Sequence, residues 1–139
     1  MRVWKIVVVV VLLIAAFSAG FLPQYAKVRS LERELGEAKR ENSLAELRDL
    51  AGLAYLQASQ KDYGLAGGTS ARFFNRTREV ANQTPDLSGR KPLEDLLSLR
   101  DQITGELARG DPGVVNDLQT LLVKTRQATG ASASARPPE

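Results

Sequence analysis

The chain has 139 residues, 43% of them hydrophobic but only 6% aromatic, with a net charge of +3. It contains no cysteine and no histidine, which excludes disulfides, thiolate metal sites, a cysteine nucleophile and every Ser–His or Cys–His catalytic pair. Residues 1–23 carry +2, residues 24–63 zero, 64–110 +1 and 111–139 zero, so no block has the basic excess of a nucleic-acid-binding surface.

The first element is the run from Ile6 to Leu22, seventeen residues without a charge in which only Ser18 has a polar side chain. As a helix it extends about 25 Å, at the short end of what crosses a hydrocarbon core of about 30 Å. Trp4 suits the headgroup interface, and Lys5 can extend its ammonium toward water. The expectation is a signal anchor over residues 1–23, with Ile6, Val10, Leu13, Phe17 and Leu22 in the span. The competing reading is a cleaved signal peptide, with a basic start at Arg2 and Lys5 and small residues at Ser18-Ala19-Gly20. The run resumes with Phe21-Leu22 after those small residues and then enters a charged helix, which favours the anchor. A short basic segment before a long apolar run has the form of an export-type anchor, so the body is expected outside the cytoplasm. A count of the five Lys and Arg soon after the span points the other way.

Residues 24–43 read as a charged helical stalk. Val28, Leu31, Leu35, Ala38 and Asn42 follow the spacing of a and d heptad positions and form a candidate self-association seam, with Asn42 either a buried amide that sets register or the point where the seam slips. The chain is therefore a candidate homo-oligomer. The next apolar set, Leu44, Leu47, Ala51, Ala54 and Ala58, is out of phase with that seam. Leu47, Leu50, Leu53 and Leu56 widen it into a face expected to be buried in a bundle.

The bundle is expected over residues 44–129. Gly64, Gly67 and Gly68 read as a helix end or kink, with Thr69 or Ser70 capping the next helix. "TPDLSGRKP" reads as a turn, with Pro92 in the first turn of a helix that continues to Gly110. Asp111 then caps a last helix begun by Pro112, with a stripe of Val114, Val115, Leu118, Leu121, Leu122 and Thr125. The short link forces the last two helices into an antiparallel hairpin. Residues 130–139 are small and proline-rich and read as a disordered tail. No alternating run follows the first segment, so the fold is expected to be all-α: one transmembrane helix continuing into a charged helical stalk, then a small antiparallel bundle.

Chemistry-bearing patterns are few. Glu94 and Asp95 lie in a first helical turn, where negative charge complements the helix dipole without any catalytic role. "GLAGG" lacks the GK[ST] ending of a phosphate loop and follows no strand. Arg72, Phe73, Phe74, Arg76, Arg78, Arg90 and Lys91 form a candidate basic and aromatic contact surface, residues 69–91 holding five basic and two acidic side chains. The competing assignment puts both phenylalanines in the core. No catalytic residue, metal ligand or cofactor is expected.

In layout, residues 1–60 resemble the small bitopic coiled-coil proteins of bacterial cell division and envelope assembly: a few residues, one span, then a charged helix. The expected function is a non-enzymatic, single-span scaffold or protein-docking module whose partners are a membrane and proteins of unknown identity. The alternatives are a ligand-binding sensory bundle, or an exported soluble binding protein if the first twenty or so residues are removed.

Overall fold

The computed structural model describes residues 2–134, with their side chains except at 17–26 and 131–134. Five helices and no strand occur among the described residues: α1 Arg2–Ser59, α2 Tyr63–Gln83, α3 Leu87–Leu97, α4 Arg100–Arg109 and α5 Val114–Ser134. The fold is all-helical. The chain divides into two compact units, Met1–Lys39 and Arg40–Glu139, a boundary that falls inside the expected stalk.

In the first unit every side chain described is exposed to solvent. Among the described residues no helix is long and apolar enough to cross a membrane. The span expected from Ile6 to Leu22 is therefore not established by the fold. Ile6, Val10 and Leu13 are described, whereas the Phe17 and Leu22 side chains lie outside the described residues.

The second unit is an up-and-down bundle with one core. Arg76 of α2 reaches Glu46 and Ser43 of α1. A Cβ on Gly52 of α1 would meet Leu122 of α5 at 4.0 Å. Helix α2 also packs on α3 and α4, and α5 packs on both of them. Helices α3 and α4 thus act as one leg of a four-legged ring. Leu44, Leu47, Ala51, Ala54 and Ala58 supply the buried stripe of α1, as their 3-4 spacing predicts. The widening flank does not hold: Leu50 is half-buried, but Leu53 and Leu56 are exposed. Steps of three residues drift around a helix that needs 3.6 per turn, and so leave the core face.

Helix α2 buries Ala66, Thr69, Ser70, Phe73, Phe74, Thr77, Val80 and Ala81. The Phe73 and Phe74 rings meet edge to face, 5.2 Å between centroids and 79° between planes, the geometry that aromatic quadrupoles favour. Buried threonines satisfy their hydroxyls within their own helix: Thr77 donates to the Phe73 carbonyl, Thr125 to Leu121 and Thr129 to Thr125.

The break between α1 and α2 is not at the glycines. Lys61 takes a left-handed φ of 64°. Its N–H donates to the Ala58 carbonyl and the Asp62 N–H to Gln57, both at 2.9 Å. This is a Schellman closure of α1. Asp62 then caps α2, its Oδ1 accepting from the Leu65 N–H at 3.2 Å. Gly64, Gly67 and Gly68 lie inside α2, and Thr69 and Ser70 are buried rather than capping. The cap at Asp62 starts the helix early, and the apolar stripe carries it through glycines that would otherwise weaken it.

Three further expectations are corrected. Helix α3 begins at Leu87 and contains Pro92, because Asp86 caps it: Oδ2 accepts from the Gly89 N–H at 3.2 Å and from the Ser88 hydroxyl. The single helix expected up to Gly110 is divided at Ser98–Leu99, where the Ser98 hydroxyl donates to the Asp95 carbonyl at 2.7 Å and the Leu99 N–H turns back to Leu96. Helix α5 starts at Val114 rather than Pro112 and runs to Ser134, into the segment expected to be disordered, whose first residues include strong helix-forming alanine. Residues 135–139 lie outside the described residues.

The α4–α5 turn repeats the first one. Gly110 has φ 64°, its N–H donates to Leu107 at 3.1 Å and the Asp111 N–H to Glu106 at 3.0 Å. Asp111 Oδ1 accepts from the Gly113 N–H at 2.8 Å. Both turns lie at one end of the bundle, with the Tyr63 ring 3.6 Å from where a Gly110 Cβ would sit. One turn has glycine in the left-handed position and the other a lysine that is strained there. Lys61→Gly is expected to stabilise the bundle by about 1 kcal/mol and Gly110→Ala to destabilise it by about 1–2 kcal/mol, read from urea unfolding followed by circular dichroism.

Candidate functional site

Three sets of residues were candidates, and the structure treats them differently. The first is the apolar segment of the N-terminal unit. Val3, Trp4 and the unbroken series Ile6 to Ile14 are all exposed. Trp4, Val7, Val8, Val11 and Leu12 line a shallow apolar groove along one side of this helix. A turn contains 3.6 residues, so nine consecutive large hydrophobic residues leave no polar face.

The second is the seam. Val28, Leu31 and Leu35 are exposed, as are Ala38 and Asn42. Among the described residues nothing covers these side chains, and the first described buried ones along α1 are Ser43 and Leu44.

The third, the basic and aromatic surface, is not assembled. Phe73 and Phe74 are 0% and 1% exposed. They are core because they share the α2 stripe with Ala66, Thr77 and Val80. Arg76 is committed within the bundle: Nε lies 2.8 Å from Glu46 Oε2, Nη1 2.7 Å from Glu79 Oε2, and Nη2 donates to Ser43 Oγ at 2.9 Å. The hydrogen bond to Glu79 above all, and that to Glu46, hold the guanidinium charged against the cost of its partial burial. Arg90 pairs with Glu94 at 3.0 Å. Arg72, Arg78 and Lys91 are exposed and remain a basic rim without aromatic companions.

A polar cluster that the sequence did not single out lies across the α4–α5 hairpin. Gln102 Nε2 donates to Asp117 Oδ2 at 2.6 Å and to Glu106 Oε1 at 3.3 Å. Loss of hydration and then the Asp117 carboxylate push the Glu106 carboxyl above its ordinary value, and Asp111 adds to the effect. The residues are i, i+4 on α4 and in the first turns of α5, so the only sequence signal was the hairpin itself. Among the described residues no group of three or more acidic side chains is placed to hold a metal ion. The cluster ties two helices together. At the other end of the bundle, the Ser88 hydroxyl, then the N–H groups of Ser88 and Gly89, hold the Asp86 carboxyl below its ordinary value, which makes it the better cap of α3.

Comparison with protein families, with curated proteins and with solved structures finds no match.

The carboxyl pair has a signature in pH. A raised glutamate favours the folded state when protonated, so its contribution is fully present below the ordinary glutamate range and is lost as pH rises through the elevated folded-state value. Glu106→Gln is expected to make the bundle more stable than wild type at neutral pH, with the difference shrinking as pH falls below the ordinary glutamate range, measured by thermal unfolding across pH.

Proposed function

We propose that this is a non-enzymatic, single-span membrane protein whose helical body docks other proteins in an envelope complex. One observation carries the reading: the exposed apolar helix of the N-terminal unit has no polar face. Its large side chains from Val3 to Ile14 are between 42% and 76% exposed. A helix that is apolar all round belongs in an apolar surrounding, and a bilayer supplies one on every side at once. In sequence the uncharged run continues to Leu22, which brings it to the short end of a spanning length. Arg2 and Lys5 precede it as the short basic flank of an export-type anchor, and on that form the proposal has the body outside the cytoplasm, against the count of the five Lys and Arg that follow the span.

The body suits docking rather than catalysis. It has neither the histidine nor the cysteine that most acid–base and nucleophilic sites use. Phe73 and Phe74 are spent on the core, and Arg76 is spent on an ion pair that ties α1 to α2.

The test is the intact mass of the protein from its own host, in membrane and soluble fractions. A full-length mass in the membrane fraction, resistant to alkaline carbonate, is expected. Placing arginine at both Val10 and Leu13 should release the protein, each charge costing about 2.5–3.5 kcal/mol at the centre of a span. A mass beginning near Ala19 or Phe21 in the soluble fraction would overturn the anchor and make this an exported soluble binding protein.

A further inference from the structure

We propose that residues 27–39 form a parallel two-stranded coiled coil with a second copy of this chain. The seam of that segment is Val28 and Leu35 at a positions, Leu31 and Ala38 at d. Val28, Leu31 and Leu35 are 54%, 62% and 57% exposed, so none of the described residues covers the stripe. In the first of the two heptads the β-branched Val28 at a followed by Leu31 at d favours two strands.

The charges beside the seam select the partner and its direction. With these a and d positions, Lys27 and Glu34 occupy g, and Glu32 and Lys39 occupy e. In a parallel pair each g residue faces the e residue five positions later on the other helix. Lys27 therefore faces Glu32 of the second copy, and Glu34 faces Lys39. Each pairing occurs twice by symmetry, and all join opposite charges. Arg29, Arg33 and Glu37 fall at b, f and c, away from the seam. An antiparallel pair that sets Leu31 against Leu35 instead puts Glu34 against Glu34 and Glu32 against Glu32. The complementarity is that of the sequence with itself, in parallel register.

Two heptads are marginal for helix association in water. Confinement to a membrane raises the effective concentration of the second copy, and two chains leaving the same face run in the same direction. To that extent the proposal deepens the anchored reading, while the seam and its charges stand on their own.

The cysteine-free chain permits a direct test in full-length protein, oxidised in the membranes of expressing cells. Single variants Val28→Cys, Leu31→Cys, Leu35→Cys and Ala38→Cys are expected to give disulfide-linked dimers at least fivefold more efficiently than Arg33→Cys on the far side. In an antiparallel pair the two copies of residue 28 would lie about 15 Å apart. Linkage at 31 and 35 but not at 28 and 38 would therefore overturn the parallel arrangement. Equal linkage at Arg33, or none at the seam, would overturn the dimer. In the Leu31→Cys background, Glu34→Lys is expected to lower linkage severalfold and Glu34→Lys with Lys39→Glu to restore it. Failure of the double variant to recover would remove the charge argument and the proposal with it. Linked dimer recovered from the soluble fraction would sink the anchor and leave the coiled coil standing.

Discussion

Burial of two adjacent phenylalanines is the constraint around which the bundle is arranged. Neighbouring residues on a helix point about 100° apart, so Phe73 and Phe74 can both leave water only if α2 is covered on two sides. Helix α1 is joined to α2 through Arg76, and α3 and α4 also pack on α2. That requirement brings the consecutive legs up and down around one core, and α5 closes the ring against α1, α3 and α4. The facing stripe of α1 is mostly alanine, with Ala51, Ala54 and Ala58 fully buried. Large rings on one leg and small side chains on another are how a small core fills without voids.

Charge follows from the same arrangement. Arg76 lies one turn beyond the phenylalanines at the border of the core, where a guanidinium without partners would be costly. Glu46, Glu79 and Ser43 converge on it from two helices, so a residue that reads as part of a basic surface becomes a bolt between α1 and α2. The Gln102–Asp117–Glu106 cluster plays the corresponding part between α4 and α5, there with two acids that oppose one another.

The two units differ in what they leave exposed. In the second, each leg offers one apolar stripe, and the stripes meet. In the first, the apolar residues up to Ile14 occupy every face and those from Val28 to Ala38 occupy one. An all-round apolar surface fits a surrounding medium, and a single stripe fits a single partner. The proposed anchor and the proposed seam are these two cases in succession along one helix, with no chemistry asked of either.

What the sequence determined by itself was set by local spacing: helical periodicity throughout, the buried 3-4 stripes of α1 and α5, the helix end at Gly110, and the phase change near Leu44. These depend on residues within a turn or two of one another. The tertiary structure decided what depends on the occupant of the far side of a helix. It sent Phe73 and Phe74 inward, left Leu53 and Leu56 outside, and turned Arg76 from a surface cation into a fastening. It also chose Lys61 over the nearby glycines as the turn residue. A helix can carry glycines when its apolar stripe is paid in packing on both sides, whereas a chain must reverse where its partner stripe ends, and only the assembled core defines that point.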